Sequence, residues 1–233
     1  MKPASNRNRR SRLSNRVLFC VAFLGLSIAT ASAQSNFKRF NFDVGGGLGI
    51  GRGDVAKFVG NSYHGVAGFG MNFSRRFGFN AEYMYYGLPL KSSVIQGQFL
   101  LPGATGNVQS GTLNGIVKAP FFGRWGAYGI FGVGWYQRNV SNRREPLAPG
   151  TPCQPAWRWW DLTCVGSLPV IPNSPAQAIA SNSKGAGGFN AGAGVTHPFK
   201  RLHAKWYLEA RYHRAYHSDG QTTFIPVTIG LRW

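Results

Sequence analysis

The residues best suited to chemistry gather near one end of the chain, where Glu209, His213, His217, Ser218 and Asp219 supply a hydroxyl, imidazoles and carboxylates. A hydrolase of the serine type needs its base within hydrogen-bond reach of the nucleophile and an acid to orient that base. His217 and Ser218 are adjacent, so on an extended strand they point to opposite faces. His213 precedes Ser218 by five residues, which is also out of phase. The spacing therefore favours a solvated loop following a strand over a triad. Metal chemistry fares no better, because the five histidines (His64, His197, His203, His213 and His217) have no helix to gather them and no Cys-x-x-Cys partner. The run GGGLGIGRG lacks the Gly-Lys-Ser/Thr ending of a phosphate loop. No metal, cofactor or catalytic residue is expected.

A second group is better suited to binding. Cys153 and Cys164 flank Trp157, Arg158, Trp159 and Trp160 within a Pro-rich segment. In an oxidising compartment an isolated cysteine pair favours one disulfide, here restraining an aromatic hairpin. Exposed aromatics beside Arg are typical of binding hot spots, and equally of anchors at a membrane surface. Both readings stand.

The N-terminus indicates such a compartment. Lys2, Arg7, Arg9, Arg10, Arg12 and Arg16 precede an apolar run from Val17 to Ala29, then Ala31-Ser32-Ala33. That order is a secretory signal, so residues 1–33 are expected to be cleaved and residues 34–233 to form one domain. Removal of the leader leaves 20 basic residues against seven acidic ones, a net charge of +13. Secretion argues against nucleic acid as the counter-charge and for anionic lipid headgroups or lipopolysaccharide phosphates.

The mature part carries no run long enough for a membrane-spanning helix. The whole chain has 32 Gly, 14% aromatic and only 14% charged residues, against about 25% charged in soluble domains. Eight segments alternate apolar or small residues with polar ones: about 39–50, 63–73, 77–86, 108–118, 125–138, 185–197, 204–216 and 223–233. The first sets Phe40, Phe42, Val44, Leu48 and Ile50 against Asn41 and Asp43, and the last sets Ile225, Val227, Ile229, Leu231 and Trp233 against Thr228 and Arg232. The fifth is ambiguous because both faces are aromatic or small. Trp125, Phe131, Val133 and Trp135 are assigned to its outer face.

Period two with one apolar face fits a soluble sandwich or a membrane barrel. The secretory leader, the aromatics near strand ends and the alternation of short with mostly longer connections favour the barrel, with short turns in the periplasm. The short connections are 74–76, 119–124 and 198–203, and the longest outer loop covers about 139–184. Pairing every backbone group in hydrocarbon requires closure. The expected fold is an all-β, eight-stranded antiparallel up-and-down transmembrane β-barrel. Its Gly-rich runs leave space for inward side chains from across the lumen. An eight-stranded barrel is just wide enough to be filled. Its inward charges (Asp43, Glu82, Lys118, Glu209, Arg211 and Arg232), together with His64 and His213, are therefore expected to form a paired plug rather than a conducting lumen. Glu82, Glu209 and Arg211, each near mid-strand, lead that network.

The terminal run FIPVTIGLRW, with WYLEARYHRAY before it and NAGAGV earlier, resembles the small outer membrane protein β-barrel family of OmpA/OmpX type. The resemblance spans the mature chain but is mostly pattern, most specific in the last thirty residues. It implies insertion by the barrel-assembly machinery, with Trp233 as the assembly signal, and residence in the bacterial outer membrane. The chain departs from OmpA itself in ending with the barrel. Outer-membrane lipid A deacylases share the architecture, but their His lies two residues before the Ser, a spacing absent here. The expected role is a non-enzymatic, monomeric barrel with a structural or surface-interaction function, its loops meeting an extracellular ligand. A lipid A-modifying hydrolase and a narrow small-solute channel are the alternatives.

Overall fold

The computed structural model describes residues 38–91, 105–120, 122–141, 155–164 and 181–233. The expected leader, residues 1–33, lies outside them. Eight long strands carry the architecture: β1 (Phe40–Arg52), β2 (Ser62–Asn72), β3 (Phe77–Pro89), β4 (Thr105–Pro120), β5 (Gly126–Ser141), β8 (Ser181–Phe199), β9 (Ala204–His217) and β10 (Gly220–Arg232). Two short strands, β6 (Pro155–Arg158) and β7 (Asp161–Cys164), pair only with each other.

Each long strand pairs antiparallel with its neighbour in sequence, and β10 returns to β1 from Asp43↔Arg232 to Arg52↔Thr223. The ring is closed, leaving no unpaired edge among these strands. Beyond the last strand residue, the Trp233 N–H donates to the carbonyl of Phe42 (2.9 Å), extending the seam to the chain end.

The alternation read from sequence becomes an inside and an outside. Along β2 every second residue is buried, including His64 and Asn72, while Tyr63 and Phe69 are exposed, as is Phe73 just after the strand. The exposed face is the apolar one: Leu48, Phe131, Val133, Trp135 and Ile229 all point outward. A water-soluble fold would place them in its core. On β5 the outer face is the expected one, with Phe131, Val133 and Trp135, and Trp125 just before the strand, exposed, and Tyr128, Ile130, Tyr136 and Arg138 buried.

Two ends differ. At one, short connections join β2 to β3, β4 to β5 and, through a 3-10 turn (Lys200–Leu202), β8 to β9. At the other lie the connections after β1, β3 and β5. The first of these holds a short helix, α1 (Val55–Phe58). The long outer connection expected at about 139–184 is narrowed at both ends, because β5 continues to Ser141 and β8 begins at Ser181, and the β6–β7 hairpin lies within it. Polar Ser and Asn residues in these strand extensions disguise them as loop. The connection after β9 is also short, with only Ser218 and Asp219 between His217 and Gly220.

Candidate functional site: the barrel lumen and its outer cap

The lumen is filled in layers. Nearest the short-turn end, the Arg232 guanidinium lies 5.0 Å from the ring centres of both Tyr128 and Tyr207, and 3.7 Å from Asp43. A desolvated cation held between aromatic faces gains electrostatically from both rings.

At mid-barrel the structure brings Glu82, Glu209 and Arg211 together. Arg211 forms ion pairs with both carboxylates, and all three side chains are nearly inaccessible. Amides complete the shell. Asn80 Nδ2 donates to Glu82 Oε1 (2.8 Å) and to Asp43 Oδ1 (3.0 Å), Asn114 Nδ2 donates to Glu82 Oε2 (2.8 Å), and Tyr128 Oη donates to Glu209 Oε2 (2.8 Å). Buried charge is tolerated only with this degree of pairing. An eight-stranded lumen is narrow enough for long side chains from opposite walls to meet, as those of Arg211 and Glu82 do.

Above this layer the lumen turns aromatic. His213 stacks on Phe224 (4.9 Å, 9° between planes), and the Tyr136 hydroxyl lies 3.1 Å from His213 Nδ1. Tyr86 packs on Phe224 at 4.5 Å, and the Ser62 hydroxyl donates to the Tyr86 hydroxyl (2.8 Å). Inward glycines make the room: a Cβ on Gly49 would overlap Tyr86 Oη, and one on Gly45 would overlap Tyr207 Oη.

The outer mouth is stoppered. Trp160 at the β6–β7 turn is 0% exposed, its Nε1 donating to Thr222 Oγ1 (3.3 Å), and Trp157 is also buried. Val55 of α1 joins Leu88, Val108 and Val140 in the same cluster. Trp159 holds the turn with a left-handed φ of 58°, unusual for a bulky residue, and its ring meets Phe58 edge-on at 5.6 Å. The expected exposed binding face is therefore corrected at Trp157 and Trp160, which face the lumen. The same apolar bulk that suits a hot spot also suits a stopper, and the sequence does not distinguish them. The side chain of Arg158 lies outside the described residues. So does the bridge expected between Cys153 and Cys164: Cys153 is not described and Cys164 is placed by backbone only.

Beside the stopper, Arg138 donates through Nη2 to Asp219 Oδ2 (2.7 Å) and lies 5.7 Å over the Trp160 ring, while Lys184 Nζ is 3.2 Å from the same carboxylate oxygen. Partial burial alone would raise the Asp219 pKa. The hydrogen bonds and charge of Arg138, then Lys184, override it and hold the carboxyl at about 2. The residues considered for hydrolysis are thus occupied elsewhere. His217 turns inward with Nδ1 3.4 Å from Thr222 Oγ1, while Ser218 is exposed, its hydroxyl 3.5 Å from Lys184 Nζ. Among the described residues no three of His, Cys, Asp and Glu converge as a metal site.

Tyr86, Tyr128, Tyr136, Tyr207, Phe224 and Arg138 are lumen residues that sequence reasoning did not single out. A signal was available for the tyrosines, because inward-phase glycines on one strand require large side chains from another.

An antiparallel ring of eight strands, apolar outside and ion-paired inside, is a membrane-spanning β-barrel. Residues 19–232 match the outer membrane protein beta-barrel domain, and the chain belongs to that family. Its place is the bacterial outer membrane, with the outward face in contact with lipid. Among solved structures it is similar to a major outer membrane protein from Thermus thermophilus (TM-score 0.54, 8% identity, covering 84% of this chain and 99% of that one). It is also similar to Neisserial surface protein A (TM-score 0.52, 10% identity, covering 84% and 96%). At such identities the likeness is one of fold. No curated protein matches the chain in sequence.

Proposed function

We propose that this protein is a non-enzymatic, monomeric outer-membrane barrel with a structural and surface-interaction role. In this reading it presents its outer segments to the exterior from a sealed base. One observation supports the reading: among the described residues the Arg211–Glu82 ion pair crosses the lumen and the buried Trp160 packs over its outer end. An extracellular ligand is then met by the outer segments around the hairpin, not by Trp157 or Trp160. The leader 1–33 is removed on export, and a Cys153–Cys164 bridge restrains the hairpin. The barrel-assembly machinery receives the chain at Trp233.

The hydrolase alternative is disfavoured by the opposed faces of His217 and Ser218 and by the capture of Asp219 by Arg138. Purified barrel incubated with lipopolysaccharide tests this directly. Mass spectra of the recovered lipid A should show an unchanged number of acyl chains. Release of a fatty acid, abolished by Ser218→Ala, would overturn the reading.

A further inference from the structure

The two rims of the barrel are charged in different ways. Among the described residues at the loop end, three cations have carboxylate partners, Lys57 with Asp54 and both Arg138 and Lys184 with Asp219, while Lys91 donates to the Ala56 carbonyl and Arg214 to Gln221. At the short-turn end, Arg39, Arg75, Arg76, Arg124, Arg201 and Lys205 are all exposed, and no Asp or Glu side chain is exposed among the described residues there. The carboxylates of the barrel wall, Asp43, Glu82 and Glu209, are turned into the lumen and buried. These cations are spread around the mouth by the start of β1, the three turns and the start of β9, rather than massed on one side. Their backbone is fixed: the Arg39 carbonyl accepts from the Asn72 N–H (2.6 Å), and the Arg76 carbonyl accepts from the Lys118 N–H (2.7 Å).

Aromatic side chains set the depth of this ring. Phe73, Phe122, Trp125 and Phe199 are exposed at the same end, at positions interleaved with the cations. Aromatic residues at barrel ends lie at the headgroup boundary, and long basic side chains extend from there into the phosphate layer. The facing leaflet consists of glycerophospholipid, and anionic headgroups attract basic side chains over about a Debye length.

We propose that the short-turn rim is a binding ring for anionic glycerophospholipids of the periplasmic leaflet, with Arg75, Arg76, Arg124 and Arg201 as its principal phosphate ligands. The ring recruits a shell of acidic lipid around one end of the barrel. It opposes movement of that end out of the leaflet, because each guanidinium that leaves the phosphate layer loses an ionic partner.

The test uses the folded barrel in nanodiscs of phosphatidylcholine containing either spin-labelled phosphatidylglycerol or spin-labelled phosphatidylcholine. Both leaflets then share one composition, so the result is independent of which end faces the periplasm. The unmodified protein should retain the anionic label severalfold over the zwitterionic one, and added salt should reduce that preference. The combined Arg75→Gln, Arg76→Gln, Arg124→Gln and Arg201→Gln variant should lose most of it. An Arg52→Gln, Lys57→Gln and Lys91→Gln variant at the opposite rim should keep it. Each single substitution is measured too, and heat-dependent gel mobility establishes that every variant is folded. Equal retention of the two labels by the unmodified protein overturns the proposal. So does equal loss in both variants, which would indicate a diffuse effect of net charge. Co-sedimentation with purified peptidoglycan, lost in the short-turn variant while lipid preference is unchanged, overturns it in favour of a cell-wall partner.

Discussion

The Arg211 guanidinium on β9 reaches the Glu82 carboxylate on β3, a strand separated from β9 by three others in either direction around the ring. The pair therefore spans a diameter of the barrel. It ties opposite walls together independently of the backbone ladder, and Glu209, two residues from Arg211 on the same strand, fixes the guanidinium from behind.

Removing the shared cation leaves two carboxylates buried without their partner. Arg211→Met should destabilise the folded barrel by about 3–5 kcal/mol, measured by urea unfolding in detergent or vesicles. Arg211→Lys, which keeps the charge but not the forked geometry, should fall between. A loss below about 1 kcal/mol for Arg211→Met would show that the network is dispensable.

Gly49 and Tyr86 make a steric test of the layer above. Gly49→Ala should cost about 1–3 kcal/mol through overpacking, since the Tyr86 hydroxyl occupies the space of the new methyl. Tyr86→Phe removes that oxygen at the expense of its bond to Ser62. In a double-mutant cycle the two substitutions should couple favourably. Strict additivity would mean that the wall relaxes away from Tyr86 at little cost.

The alternation of the strands was legible because membrane barrels put their largest apolar residues outside, where Phe42, Phe69 and Ile229 contrast sharply with Asn41, Gly68 and Thr228. The lumen was legible in its charges and in His64 and His213. Glu82, Glu209 and Arg211 stand out in an apolar medium, whereas Tyr128, Tyr136 and Tyr207 look like further lipid-facing aromatics, and on β5 they erase the contrast between faces. The stopper was illegible for a different reason. Trp160 reaches the lumen through the path of a hairpin joined to the barrel by long connections, and no local period encodes that path.

The Asp219 carboxyl sits in the β9–β10 turn, outside the spanning segments, and its depressed pKa defines a pH window. A group depressed from 3.8 in the unfolded chain to about 2 in the fold contributes its full stabilisation above pH 3.8, and loses it as pH falls towards 2. Protease sensitivity of the hairpin should therefore rise across that interval in the unmodified protein. Asp219→Asn should show raised sensitivity already at neutral pH, with no further step. A step that persists unchanged in Asp219→Asn would assign it to another group.

Trp233 packs its ring 6.2 Å from Phe42 across the closing seam. If that contact were its whole role, Trp233→Ser would lower stability by about 2 kcal/mol at most. As the proposed assembly signal it should instead cause unassembled precursor to accumulate in the periplasm, while the same protein refolded in detergent still closes its barrel. Normal outer-membrane levels of Trp233→Ser would place the signal elsewhere.

The sealed lumen is the central claim, and electrical conductance across a planar bilayer tests it most directly. The inserted barrel should pass no resolvable current steps at any salt concentration, because the Arg211 layer and the Trp160 stopper both block the axis. Arg211→Met should remain silent while the stopper is in place. Regular, ohmic steps from the unmodified protein, abolished when it is unfolded, would contradict the account and identify the barrel as a channel.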